Sequence, residues 1–121
     1  MSRLPIAALV LPMAMLPGCG VVTVACTTLF AYGISIEVDD ATTGLGVTEG
    51  MSGTLTDGEY HEVMEGGFGN TLLGAGEREG TYTAVVTAPG YLPWQQDGIQ
   101  VRSDECHVIG VPISVDLIPT P

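Results

Sequence analysis

The chain has 121 residues, with three Lys+Arg against fourteen Asp+Glu and a formal net charge of −11. That length allows one domain, and the scarcity of cations excludes a nucleic-acid-binding surface, because phosphate contacts require clustered Lys and Arg. Only 14% of the residues are charged, and Val, Ile and Thr together supply 33 residues. This composition predicts a small all-β domain rather than a helical bundle or a disordered acidic tail.

The N-terminal residues have the pattern of a targeting segment. Arg3 precedes an apolar stretch, Leu4 to Leu16, that has the length of a signal-peptide hydrophobic region. An uncleaved transmembrane helix is one alternative, although Pro and Gly interrupt the run and no basic stop-transfer cluster follows it. An ordinary secretory signal cut near Ala25 is the other.

A short motif favours a third interpretation. Leu16-Pro17-Gly18-Cys19, followed by Gly20, resembles the lipobox of bacterial lipoproteins. The resemblance implies a signal peptide over residues 1–18 and a lipid on Cys19, so that the exported protein is anchored to the membrane rather than spanning it. Gly20, in place of an acidic residue, implies the outer membrane if the bacterium is diderm. The predicted location is therefore the cell envelope.

Alternating apolar and polar residues predict short strands in the rest of the chain. Residues 19–32 form a Val/Thr-rich lead, either a tether or a first strand, before a domain over residues 33–119. Ile34, Ile36 and Val38 alternate with polar residues, which is typical of a half-buried strand. Further strands are expected at 53–56, 60–64, 72–73, 80–88, 92–96, 99–102, 106–111 and 113–118. Pro93 indicates an edge strand at 92–96, and Pro112 predicts a bulge or break between the last two strands.

Several of these segments resemble carboxypeptidase regulatory-like domains. The run Gly80-Thr81-Tyr82-Thr83-Ala84-Val85-Val86 with Ala88-Pro89-Gly90-Tyr91 is similar to the strand and turn of that family. Two further segments, Asp104-Glu105-Cys106-His107-Val108 and the closing Val115-Asp116-Leu117-Ile118-Pro119, resemble its secreted bacterial members. The opening Ile34-Ser35-Ile36-Glu37-Val38-Asp39-Asp40 with Thr43-Gly44 is similar to the first strand and turn of the family. The resemblance implies a seven-stranded, Greek-key-type, prealbumin-like β-sandwich, and it transfers no catalytic residue.

Two segments suggest enzymatic chemistry, and both are weak. His61-Glu62-Val63-Met64-Glu65 is one residue short of the H-E-x-x-H zinc motif, and it lies in a predicted strand rather than the helix that this motif requires. His107 adjoins Cys106, but neighbours on a predicted strand point to opposite faces and cannot form a thiol–imidazole pair. The sequence therefore predicts no enzyme, no cofactor and no metal site.

Acidic residues cluster twice in the predicted domain. Oxygen ligands at this density are compatible with a weak Ca²⁺ site, but no spaced D-x-D-x-D loop occurs. A solvated acidic surface is therefore the favoured interpretation. The two clusters are Glu37, Asp39 and Asp40, and Asp57, Glu59, Glu62 and Glu65.

Three aromatic residues lie close together in sequence and suggest a ligand surface. Tyr82, Tyr91 and Trp94 would form a sugar-stacking platform if all three were exposed. The family resemblance implies a buried Tyr82 and a packed Tyr91 at a turn, which leaves Trp94 as the possible ligand contact. We therefore predict a non-catalytic structural or interaction module, whose partner is an unknown protein or glycan. The alternative is a carbohydrate-binding module that uses exposed aromatics.

The last sequence-based prediction concerns the remaining cysteines. If Cys19 carries lipid, Cys26 and Cys106 are an even pair in an exported, oxidising setting, and we expect a disulfide between them. The alternative leaves both as buried thiols.

Overall fold

The computed structural model describes residues 25–121, in which strands are the regular secondary structure and no helix occurs. The predicted signal peptide and Cys19 lie outside the described residues. The strands are β1 (Tyr32–Asp40), β2 (Ser52–Asp57), β3 (Tyr60–Val63), β4 (Glu65–Gly66), β5 (Thr71–Gly76), β6 (Gly80–Thr87), β7 (Trp94–Val101) and β8 (Val111–Leu117). No helix in this part of the chain is long and apolar enough to cross a membrane.

Two four-stranded sheets pack face to face, which confirms the all-β sandwich. Their strand orders are β4-β5-β1-β8 and β3-β2-β6-β7. β1 and β8 are parallel, and the other neighbours are antiparallel. The predicted count of seven strands is wrong, because the described residues contain eight. The additional strand is short: the chain leaves β3, passes the buried Met64 and enters the other sheet as the two-residue β4.

The core lies between the two sheets and follows the predicted alternation. Ile34, Ile36 and Val38 of β1 are completely buried, and so are Tyr82 and its neighbours Ala84 and Val86 on β6. Residues that alternate with them along the strands are more exposed. Because side chains of a strand point to alternate faces, this period of two assigns β1 and β6 their buried sides.

The predicted edge position is confirmed, but the two strands expected at 92–96 and 99–102 form one continuous strand, β7, and Pro93 lies outside it. β7 lies at the edge of its sheet, where Pro93 immediately precedes it. Its pairing with β6 shifts register between Tyr82 and Ala84. Gly98 stands opposite this irregularity with a φ of +69°, a backbone conformation that glycine adopts without the steric cost of a Cβ atom. A bulge of this kind increases local twist and makes the edge a poorer template for pairing with other chains.

Two of the predictions for the last strands are wrong. Cys106 to Gly110 is not a strand, because the Asp104 carboxylate accepts hydrogen bonds from the backbone N–H groups of Cys106 (2.8 Å) and His107 (2.9 Å) and so favours a turn. Pro112 does not break the final strand, since β8 runs through it. β8 is an edge strand, where a residue without an N–H group is tolerated on the outer side.

Candidate functional site

The sandwich has two ends of different character. β1 and β8 run parallel, so that both begin at one end and finish at the other. The first, here called the disulfide end, carries the strap of residues 25–31 and the loop of residues 102–110. The second, the cleft end, carries the turn after β1, the segment of residues 88–93 and the residues that follow β8.

The disulfide end is cross-linked as predicted. Cys26 and Cys106 form a disulfide with a Cα–Cα distance of 5.1 Å and a sequence separation of 80 residues. Residues 25–30 of the strap are exposed and form no strand, and the disulfide attaches this segment to the loop before β8.

His107 bridges the strap and the body of the domain. Its Nδ1 atom lies 2.6 Å from Oε1 of Glu77, and its Nε2 atom lies 3.0 Å from the backbone oxygen of Thr27. Both partners accept hydrogen bonds, so a doubly protonated ring satisfies them together. The pKa of His107 is accordingly raised above its ordinary value, chiefly by the hydrogen bond to Glu77.

Glu77 holds the same strap at a second point. Its Oε1 atom accepts a hydrogen bond of 2.8 Å from the backbone N–H of Ala31, and the Glu77 N–H donates to the Ala31 oxygen at 2.9 Å. The pKa of Glu77 is lowered, first by the bond from Ala31 and further by His107. The side chains of His107 and Glu77 therefore serve to position the strap.

A second polar network at this end was missed by the sequence analysis. Nη1 of Arg78 lies 3.1 Å from Oδ2 of Asp57, and the guanidinium lies 3.6 Å from the centre of the Tyr60 ring. The buried Tyr82 hydroxyl accepts a bond from Arg78 Nη1 (2.9 Å) and donates one to the Arg78 backbone oxygen (2.8 Å). The available signal was the rarity of cations, since Arg78 is one of only three Lys+Arg residues.

Tyr91 joins two segments at the cleft end. Its hydroxyl donates to Oδ2 of Asp40 at 2.6 Å, and Oδ1 of Asp40 accepts from the N–H groups of Thr42 (2.7 Å) and Thr43 (3.0 Å). The bond from Tyr91, followed by the two backbone bonds, lowers the pKa of Asp40. These contacts tie the turn after β1 to the segment that leads into β7.

Trp94 borders a small cleft at this end. The cleft has a volume of about 50 Å³ and is lined by Leu92, Pro93, Trp94, Asp116, Leu117 and Ile118; it is called the Trp94 cleft below. Trp94 is partly buried against the core, whereas Tyr82 is fully buried. The three aromatics therefore do not share one exposed surface, and Trp94 is the one that contributes to a cleft.

The remaining sequence candidates are not assembled into a reactive site. His61 and Glu62 lie on β3, where they point to opposite faces, and Oε1 of Glu62 accepts from the Ala75 N–H at 2.8 Å. Within residues 25–121, no group of three or more His, Cys, Asp or Glu side chains is placed to hold a metal ion.

Two wider depressions lie at the disulfide end. The larger, about 390 Å³, is lined by Glu79, Gly80, Thr81, Gln100, Val101 and Arg102. The smaller, about 180 Å³, lies along the loop that contains Cys106. Ser103 and His107 both line the smaller depression, but the Ser103 hydroxyl bonds to Glu79 and Nδ1 of His107 bonds to Glu77.

Comparison of the chain with known protein families finds no family that matches, and comparison with curated proteins finds no match either. Membership of the carboxypeptidase regulatory-like family therefore stays a prediction.

Proposed function

We propose that this protein is a lipid-anchored component of a bacterial cell envelope that acts as a non-catalytic structural or interaction module. The observation that carries the proposal is the disulfide between Cys26 and Cys106, because structural disulfides persist in exported rather than cytosolic proteins. The lipobox-like motif at Cys19 supports an anchor, with the outer membrane as its location in a diderm bacterium. The regulatory-like pattern around Tyr82 supports a carboxypeptidase regulatory-like domain.

Chain length sets the geometry of such an anchor. Cys26 follows Cys19 at a distance of seven positions in the sequence, and a fully extended chain of that length spans at most about 25 Å. A lipid on Cys19 therefore keeps the disulfide end near the membrane surface. The cleft end, at the opposite pole of the sandwich, is then turned away from the membrane and towards partners.

The hydrogen bonds at the disulfide end support a role without catalysis. Both ring nitrogens of His107 are used in holding Glu77 and Thr27. A general base needs a free ring nitrogen within reach of a nucleophile or substrate. The same bonds are well suited to fixing the strap between an anchor and a folded domain.

The anchor is tested with the protein expressed in a diderm bacterium. We expect the wild type to partition with membranes and to carry a diacylglycerol-modified Cys19 in mass spectrometry. Cys19→Ser should abolish both the lipid and cleavage before residue 19. The matched control is the double variant Cys26→Ser with Cys106→Ser, which should remain lipidated. An unmodified thiol at Cys19 in the wild type would contradict the proposal.

A carbohydrate-binding module is the second candidate, and the position of Trp94 beside an apolar cleft favours it. Amphipathic aromatic rings supply large contact areas at binding surfaces. Saturable binding on a glycan array that Trp94→Ala abolishes would establish this function. Phe68→Ala is the matched control, because Phe68 is 99% exposed and lies outside the cleft. Equal loss in both variants would contradict it.

A further inference from the structure

Three exposed apolar side chains lie together at the disulfide end. Leu29 and Phe30, in the strap, are 74% and 63% exposed, and Ile109, in the loop before β8, is 54% exposed. The strap and this loop are neighbours: the disulfide joins them at one point, and further along a Cβ atom at Gly110 would lie 3.4 Å from the backbone oxygen of Tyr32. Single exposed apolar residues are ordinary on protein surfaces, whereas a group of them at one end indicates a contact surface.

The two apolar strap residues lie between two points at which the strap is fastened. On one side, Nε2 of His107 lies 3.0 Å from the backbone oxygen of Thr27. On the other side, the backbone N–H of Ala31 donates to Oε1 of Glu77 at 2.8 Å. Because the backbone is held on both sides, little further ordering is needed when the side chains between these points bind a surface.

Phe30 is also positioned by contacts of its own ring. The ring meets that of Tyr32 edge to face, with 5.1 Å between the two centroids. It lies directly over Gly76, where a Cβ atom would overlap it, so the glycine makes room for the ring. In spite of these contacts, Phe30 stays more than half exposed. A positioned aromatic ring of this kind offers a large apolar area for binding.

The distance along the chain to Cys19 decides which surface these side chains meet. Leu29 follows Cys19 at a distance of ten positions in the sequence, which an extended chain spans in at most about 35 Å. A lipid on Cys19 therefore confines the strap to the neighbourhood of the bilayer, so that the bilayer is present at a high effective concentration. Leu and Phe are side chains with which proteins enter the boundary between headgroups and acyl chains.

Carboxylates at the disulfide end determine the kind of lipid. Glu77, Glu79 and Asp104 each accept hydrogen bonds from backbone N–H groups of the domain. Glu105 is exposed, and the protein as a whole has a formal net charge of −11. These charges are repelled by anionic headgroups, so the apolar side chains are suited to a zwitterionic surface.

From the proposed lipid anchor, on which this step rests, we infer that Leu29, Phe30 and Ile109 insert into the interface of a zwitterionic membrane. The lipid on Cys19 supplies the attachment, and the three side chains hold the disulfide end against the bilayer. They thereby fix the orientation of the domain, with the cleft end away from the membrane.

The test uses the lipidated full-length protein, purified from bacterial membranes and reconstituted in phosphatidylcholine vesicles with brominated acyl chains, which quench an indole that enters the acyl region. In a Trp94→Phe background, Phe30→Trp should lose at least half of its emission relative to vesicles without bromine. Phe68→Trp is the matched control, because Phe68 is 99% exposed and lies in the turn between β4 and β5, next to the end of β1. Its emission should be the same in both kinds of vesicle.

A second pair of variants locates the contact. In the protein that carries Phe30→Trp, Leu29→Ser should reduce the quenching at least twofold, because it removes a neighbouring apolar side chain from the inserted group. Leu45→Ser, which removes a leucine that is 70% exposed in the turn after β1, should leave the quenching unchanged. Equal effects of these two changes would overturn the inference.

The remaining outcomes separate the inference from the anchor. Absence of quenching in Phe30→Trp, in a sample whose Cys19 carries lipid by mass spectrometry, would refute the inference and leave the anchor intact. An unmodified Cys19 in that sample would refute both. Equal quenching of Phe30→Trp and Phe68→Trp would show that the domain has no preferred end at the membrane. A blue shift of Phe30→Trp that grows with protein density, without quenching by bromine, would identify a second copy as the occupant.

Discussion

The two ends of this sandwich are held together by different kinds of contact. At the disulfide end, a covalent bond and a chain of charged hydrogen bonds fasten an exposed strap to the domain. At the cleft end, backbone pairs and the Tyr91–Asp40 bond hold the loops, while the apolar rim of the Trp94 cleft is left facing solvent. Polar groups that are satisfied internally stabilise the fold, whereas groups left available at a preformed cleft are suited to recognition. The first end therefore attaches the strap to the domain, and the second presents a preformed cleft.

The strongest contrast between the ends comes from the disulfide. Replacing Cys26 and Cys106 with alanine should lower the free energy of unfolding by up to about 4.5 kcal/mol, because the unfolded chain regains the entropy of a long loop. Urea unfolding of the variant and of the wild type checks this. The reduced wild type should match the double variant. An unchanged unfolding midpoint would show that the disulfide does not stabilise the folded domain, and the two ends would then not differ in this respect.

Tyr82→Phe tests the second network at the disulfide end. The change removes a hydroxyl that links the backbone and guanidinium of Arg78. The guanidinium keeps its bond to Asp57, but the Arg78 backbone oxygen loses the bond from Tyr82, at a cost of about 1–3 kcal/mol. Thermal unfolding followed by circular dichroism measures it. Tyr32→Phe is the matched control, since the Tyr32 hydroxyl meets Glu65 at the surface, and it should change stability much less. Equal effects would contradict a special role for the Arg78 network.

The pH dependence of stability should also distinguish the disulfide end from the cleft end. The folded pKa of His107 is raised, chiefly by Glu77. Its stabilising contribution is therefore complete below about pH 6.5, the unfolded value, and is lost as the pH rises through the folded pKa. The free energy of unfolding, measured in urea from pH 5 to pH 9, should decline across this window.

Glu77→Gln should flatten that decline, because it removes the carboxylate that pairs with the His107 ring. An NMR titration of the His107 ring supplies a direct reading. A His107 pKa at or below the unfolded value would show that the protonated His107 ring does not stabilise the attachment of the strap.

The smallest expected effect is at the cleft end. Tyr91→Phe removes the bond that contributes most to the lowered pKa of Asp40, so the pKa of this carboxyl should rise towards its ordinary value. A lowered pKa contributes stability above the unfolded value that disappears as the pH falls through the folded pKa. The variant should therefore lose less stability on acidification than the wild type, and this loss should be complete at a higher pH. NMR titration of the Asp40 carboxyl measures the shift, and an identical titration in both proteins would contradict the contact.

Much of the sandwich was predictable because alternation specifies which side of a strand is buried. Ile34, Ile36 and Val38 illustrate this: apolar residues two apart require a common buried face. The loop around Cys106 was not predictable in the same way. Its apolar residues follow the same pattern. However, the Asp104 carboxylate accepts hydrogen bonds from the backbone N–H groups of Cys106 and His107, so that a turn forms in place of a hydrogen-bonded strand. The outcome depends on competition between local and cross-strand bonds, which periodicity does not resolve.

The sequence by itself determined the fold class and the burial of alternate residues, since these follow from composition and period. The expected disulfide partners depended in addition on the lipobox resemblance at Cys19, which leaves two of the three cysteines to pair. The tertiary structure decided which residues are in contact with one another. It brought His107 to Glu77, placed Arg78 against Tyr60 and assembled the Trp94 cleft from the start of β7 and the end of β8. Such contacts join residues far apart in the chain, and they depend on strand order and register, which local patterns leave open.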